Sequence, residues 1–271
     1  MKKISLIIFP LMIYILLITF NLPNNYENNM NSSLANAVKI INTKNIFFGH
    51  QSVGNNILQG IRKSIDNNNS SALRITNLEN FNNETSKYFI ESKIGFNGDP
   101  KSKIYDFCQK VELLSKNNLH IAMMKLCYAD IKSNSDINEI FNYYNESIDS
   151  LQKKYPKLII IHFTVPLTAK RNLINRLKDF FKGRPDNSMM DNIARNNFNQ
   201  LLVNKYPTDR IFQLAKIEST YPNGRREEFD YQGKTYNSLI TDYTDDGGHL
   251  NEKAQELIAQ KLIYFLSDVS K

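Results

Sequence analysis

Short, nearly continuous apolar runs alternate with amphipathic stretches from residue 45 to the end of this 271-residue chain, and few folds accept that pattern. Asn45–His50, Leu119–Leu126 and Lys157–Val165 read as strands covered on both faces, with Ala72–Leu78 and Arg210–Leu214 as further candidates. Helical periods lie between them. Val53, Ile57, Ile61 and Ile65 fall on one stripe, and Lys101–Ser115, Ile137–Lys154, Ser188–Tyr206 and Glu252–Leu266 are the remaining helices. Asp136 or Ser135 caps the helix from Ile137, and Pro156 marks its end. Glu91 to Pro100 reads as a polar loop. Crossovers of helical length join parallel strands, so the expected fold class is α/β. It is a flavodoxin-like three-layer α/β/α arrangement with a central parallel sheet of about five strands. The strands starting at Asn45, Leu119 and Lys157 are expected as neighbours or near neighbours in it. Right-handed crossovers then place functional side chains beyond the carboxyl ends of the strands.

The first 37 residues are unlike the rest. Lys2 and Lys3 precede an apolar run from Ile4 to Phe20, the pattern of an export signal or signal anchor. The run is short beside the ~20 apolar residues of a stable membrane span. Ala35-Asn36-Ala37 offers a small-x-small cleavage site, but an Asn-rich stretch separates it from the apolar run. Cleavage and a retained anchor with a polar tether both stay open. Residues 1–37 are therefore read as signal peptide or signal anchor plus tether, and 38–271 as one domain. That domain is expected outside the cytoplasm, secreted or held at the membrane through residues 4–20. Asn21–Ala37 is expected to pack against nothing, being polar and without an evident apolar period.

The formal net charge is +7, but the basic residues are scattered among acids. No stripe of arginine and aromatic residues suggests a nucleic-acid surface. A solvated face is the favoured reading, with loose attraction to an anionic envelope polymer or lipid surface as the alternative. Lys170, Arg171, Arg176, Lys178, Lys182 and Arg184 make Ala169 to Asn187 a basic insertion and a candidate lid. Cys108 and Cys127 permit one disulfide in an exported protein, and two buried thiols are the equal alternative. There is no CxxC or HExxH, and His50, His120, His162 and His249 are spread along the chain. No metal and no cofactor is assigned.

Two segments point to chemistry. Phe47-Phe48-Gly49-His50-Gln51-Ser52-Val53-Gly54 puts a serine after the first strand, and Asp245-Asp246-Gly247-Gly248-His249-Leu250-Asn251 precedes the last helix. Ser52, His249 and Asp246 are the pieces of a nucleophile, base and orienter, whose chain order differs between unrelated folds. With Asp and His three residues apart, one short loop can hold both. Ser52 opens a helix, so its own N–H and the helix dipole favour negative charge there. Taken alone, Ser52 reads as a helix cap; beside Asp246–His249 it reads as a nucleophile.

On these residues the chain resembles the SGNH hydrolases, also called GDSL-type esterases and lipases, across the whole soluble domain in element order. Asp246-Gly247-Gly248-His249 matches the family's last block. Asp191-Asn192-x-x-Arg195-x-x-Phe198-Asn199-x-x-Leu202 is similar to its penultimate helix. There are departures. Gln51 stands where the family's Gly-Asp-Ser has its acid. Gly95 or Gly98 would supply the second block's oxyanion N–H. The third block, Gly-x-Asn-Asp, aligns with Cys127-Tyr128-Ala129-Asp130 and puts Ala129 where the oxyanion-binding Asn belongs. Losing one such donor costs ~10²–10³ in rate. His50, Gln51, Tyr128 and Asn97 are candidate replacements and, with Asp130, candidate substrate contacts. The resemblance implies an exported serine esterase without cofactor, acting on an acylated carbohydrate or other ester. An O-acetyltransferase on a cell-surface polysaccharide and an inactive glycan-binding domain are the alternatives.

Overall fold

The computed structural model describes residues 24–67, 73–82, 87–170 and 187–271. The apolar run at 4–20 and residues 171–186 of the basic insertion lie outside the described residues. Six strands make one parallel sheet: β1 (Ile46–His50), β2 (Ile75–Asn77), β3 (Phe89–Lys93), β4 (Ile121–Met124), β5 (Ile159–Phe163) and β6 (Ile211–Phe212). Their order is β2-β3-β1-β4-β5-β6. Without the short β2, the remainder has the flavodoxin-like order, and its switch point lies between β1 and β4. The strands expected from Asn45, Leu119 and Lys157 are consecutive neighbours in it.

The helices are α1 (Asn24–Ile41), α2 (Ser52–Asn67), α3 (Pro100–Ser115), α4 (Ile137–Lys154), α5 (Ser188–Lys205), the short α6 (Leu214–Glu218) and α7 (Glu252–Val269). Successive strand side chains point to opposite faces. Ile46, Phe48, Ile121, Met123, Ile161 and Phe163 therefore join one core with α1, α2, α6 and α7. Phe47, Ile90, Ala122, Met124 and Ile160 join the other with α3, α4 and α5. Each fully buried Ile or Phe contributes roughly 1.5–3 kcal/mol, and both layers are needed to cover these strands. Gly60 lets α2 and α7 meet closely: a Cβ there would stand 2.3 Å from the Gln255 carbonyl oxygen. Asp136 caps α4 by accepting from the Glu139 N–H.

Three expectations need correction. The stretch ending at Ala37 packs: Leu34, Ala37, Val38 and Ile41 of α1 are buried in the first core and α1 lies on α7. Their spacing is that of a helical stripe. The segment around Glu91, read as loop, is the paired strand β3, because its acid is held inward by His50. A hairpin of β7 (Glu228–Tyr231) and β8 (Lys234–Asn237) adds a small second sheet that the alternation argument did not include. Gln232 and Gly233 form its turn, both at positive φ of 49° and 75°. Cys108 and Cys127 are both free thiols. Among the described residues no helix is long and apolar enough to cross a membrane.

Candidate active site

Ser52 is the first residue of α2, directly after β1, and the loop after β4 (Lys125–Asp130) stands beside it. These two loops flank the switch point of the sheet. Ser52 Oγ lies 3.9 Å from Cys127 Sγ. The Ser52 and Val53 amides, which open α2, make no hydrogen bond among the described residues. They form a donor pair at the positive end of a helix. Gly54 is required above β1, since a Cβ there would meet His50 Cβ at 2.3 Å. Below the serine, the buried Lys125 ammonium donates to Leu126 O at 3.1 Å and to Cys127 Sγ at 3.4 Å.

The Asp246–His249 loop is locally self-built. His249 Nδ1 is 2.5 Å from Asp246 Oδ2, and the Gly248 and His249 amides donate to Asp246 Oδ1 at 2.9 and 2.8 Å. Gly247, at φ 92°, makes the turn. Partial burial alone would raise the Asp246 carboxyl. The hydrogen bonds from His249, Gly248 and the His249 amide outweigh it and hold the carboxyl at about 2. Asp246 is thus ionised and fixes the proton of His249 on Nδ1, leaving Nε2 as an acceptor. The loop is pinned to the rest of the site by the Ala169 N–H on Gly247 O (2.8 Å) and the Leu250 N–H on Asn56 Oδ1 (3.3 Å).

The structure brings His249 to Tyr128 rather than to Ser52. Tyr128 Oη lies 3.4 Å from His249 Nε2, while Ser52 Oγ has Cys127 as its neighbour. Among the described residues no hydrogen bond joins Ser52 to His249. The two instead meet consecutive residues of one loop, so both stand against a single dipeptide. Catalytic hydrogen bonds in unliganded enzymes are often long and tighten only with substrate. Gly248 permits the approach, because a Cβ there would come within 2.9 Å of the Tyr128 ring. Arg195 braces the loop from behind, donating to Tyr128 O (3.0 Å), Ile131 O (3.1 Å), Thr168 Oγ1 (3.0 Å) and Asn192 Oδ1 (2.8 Å). Burial lowers its pKa to about 10.

Several expected site residues have other duties. The Gly95 N–H donates to Asp106 Oδ2 (2.9 Å) and the Gly98 N–H to Asp130 Oδ1 (2.8 Å), so neither amide is free for an oxyanion. His50 is buried with Nε2 on Glu91 Oε2 at 2.9 Å. Glu91 also meets Asn77 and Arg62, and the hydrogen bond from His50 is the main cause of its lowered pKa. Gln51 Nε2 donates to Ile94 O (2.9 Å) and Gly95 O (2.8 Å), tying the nucleophile loop to the β3–α3 turn. Asp130 is fully buried: it pairs with Lys103 Nζ at 2.6 Å and accepts from the Cys127 N–H at 2.6 Å. Of the expected substrate contacts, His50 and Asp130 are buried, Gln51 and Tyr128 are half-buried, and Asn97 is exposed. Lys103 and Lys125 were not expected there, because a lysine in an amphipathic or apolar run carries no mark of an inward ammonium.

No protein-family model matches the chain, and no curated protein matches it. Among solved structures, it is similar to a lipase/acylhydrolase from Enterococcus faecalis, at 12% identity over 83% of this chain and 96% of that one, with a TM-score of 0.48. It is also similar to the periplasmic domain of a Salmonella Paratyphi A lipopolysaccharide acetyltransferase (14%, 80% and 81%, TM-score 0.42). A psychrotrophic esterase from Pseudoalteromonas resembles it at 12% over 81% and 94%, with a TM-score of 0.42. The likeness is one of fold, and the chemistry stands on this chain's own residues.

Proposed function

We propose that the chain is a serine hydrolase of SGNH type, working outside the cytoplasm on an ester, with O-acetyl groups of an envelope or extracellular glycan as its substrate class. One observation carries the reading: Asp246 Oδ2 lies 2.5 Å from His249 Nδ1, and the other ring nitrogen, Nε2, lies against Tyr128 of the same Cys127-Tyr128 pair that Ser52 touches. Substrate entering the site displaces Tyr128 Oη from Nε2. Ser52 Oγ then attacks the acyl carbon and passes its proton to His249. The Ser52 N–H stabilises the oxyanion. Collapse expels the alcohol, which takes the proton from His249, and a water deprotonated by His249 releases the acid and restores Ser52. An O-acetyltransferase differs only in that a sugar hydroxyl replaces that water.

A binding module is the second reading, favoured by the Tyr128 contact on His249 and by the methyl of Ala129. Turnover of short-chain aryl esters and acetylated glycans by the full-length chain separates them. Ser52→Ala and His249→Ala are each expected to remove nearly all turnover and not to add when combined, because the residues act as a unit. Asp246→Asn is expected to cost less. A Ser52→Ala protein with full esterase activity refutes the assignment, and an inert wild type favours the binding module.

A further inference from the structure

We infer that Asn97 is the side-chain donor to the oxyanion, taking the part that Ala129 leaves without a donor; this rests on the serine-hydrolase reading above. The polar groups nearest Ser52 have other places. Gln51 uses its amide on the Ile94 and Gly95 carbonyls, His50 is buried on Glu91, and Tyr128 Oη, which substrate must displace, stands at the histidine end of the site, 3.4 Å from His249 Nε2. The amides of Gly95 and Gly98 are spent on Asp106 and Asp130. Asn97 alone combines an exposed side chain with a fixed orientation. Its Oδ1 accepts from the buried Lys103 ammonium at 2.8 Å.

That contact settles which end of the amide is held by Lys103 and which is left to donate elsewhere. An ammonium has donors and no acceptor, so it takes the carbonyl oxygen and turns the NH₂ group away from itself. Among the described residues that NH₂ has no partner. A charge on the carbonyl end also polarises the amide and strengthens its other end as a donor. Hydrogen bonds on both sides of Asn97 tie its turn to the residues next to the serine. Upstream, the Ile94 and Gly95 carbonyls receive Gln51, the residue before Ser52. Downstream, Gly98 is bonded to Asp130, whose other oxygen receives the N–H of Cys127, the neighbour of Ser52 Oγ. Positive φ at Gly95 (45°) and Gly98 (87°) makes the turn that presents the side chain. With the Ser52 N–H, the site then has a backbone and a side-chain donor for one oxygen.

The experiment compares full-length wild type with Asn97→Asp, which keeps an acceptor for Lys103 but has no donor, and Asn97→Ala. Aryl acetate hydrolysis and the rate of Ser52 phosphonylation by an alkyl fluorophosphonate are measured, with the thermal midpoint as the folding check. Both variants are expected to fold as wild type and to lose ~10²–10³ in kcat and in phosphonylation rate, with KM little changed, as for loss of an oxyanion donor. If wild type turns over and either variant keeps kcat within roughly 3-fold of it, the assignment of Asn97 is overturned and the serine-hydrolase reading survives. If wild type neither turns over nor reacts with the probe, both fall together.

Discussion

Removing the ammonium of Lys103 tests how the site's loops are held together. Lys103 and Asp130 are each 0% exposed at the side chain and lie 2.6 Å apart. Lys103→Met keeps the length and apolar stem but leaves a carboxylate without its counter-charge in the interior. Breaking a buried pair this way costs ~3–5 kcal/mol, a large part of the ~5–15 kcal/mol by which a domain is stable. Here the lower end applies, about 3 kcal/mol, because Asp130 keeps the Cys127 and Gly98 amides at 2.6 and 2.8 Å. Asp130→Ala is expected to cost more. It strands an ammonium and also orphans two backbone donors, each worth ~1–3 kcal/mol. Urea unfolding followed by circular dichroism gives the numbers, provided the slope of the transition is unchanged. The exposed pair Lys101–Glu139, with side chains 43% and 61% exposed, is the control, and Lys101→Met should cost ~0–1 kcal/mol. A loss below ~1 kcal/mol for Lys103→Met would place that pair with the surface ones and rule out an uncompensated buried carboxylate.

Two further outcomes are expected. Glu218 is buried, with Oε1 accepting from the Leu167 N–H at 2.5 Å and Oε2 without a partner. Burial raises its carboxyl to about 8 against the Leu167 N–H, Lys125 and Arg195. The unfolded chain gives up this proton near pH ~4.3, so the group costs stability as pH rises from there to about 8 and adds no slope above. The stability of Glu218→Gln relative to wild type should grow with pH across that window, and parallel profiles would contradict it. Fractionation of cells with an antibody should find the chain outside the cytoplasm. A form cut after Ala37 is not expected, because Leu34 and Ala37 belong to the core. Full-length chain soluble in the cytoplasm would overturn the location, and an N-terminus at Val38 would overturn the place of Leu34 and Ala37 in the core.

The strands around Phe47, Ile121 and Ile160 were legible because a strand buried on both faces has no polar alternation to blur it. The stripe of Val53, Ile57 and Ile61 was legible for the complementary reason. What escaped depends on pairings between distant residues. β3 contains Glu91, whose polarity reads as loop until His50 is seen to hold it. The stripe Leu34, Ala37, Val38, Ile41 was cut in two by a small-residue cleavage pattern that ends at Ala37. The Asp246–His249 pair was readable because both residues share one short loop and need nothing else to meet. The meeting of His249 with Tyr128 was not, because it depends on how Arg195 and Gly248 set the loop after β4. The oxyanion glycines failed for the same reason: the carboxylates that occupy their amides, Asp106 and Asp130, come from elsewhere in the chain.

If Ser52 is a nucleophile activated by His249, incubating full-length protein with an alkyl fluorophosphonate and mapping the adduct by peptide mass spectrometry should find a single phosphonyl group on Ser52. Labelling should be abolished in Ser52→Ala and strongly slowed in His249→Ala. An adduct on another residue, or labelling of Ser52 that proceeds at the wild-type rate without His249, would contradict it.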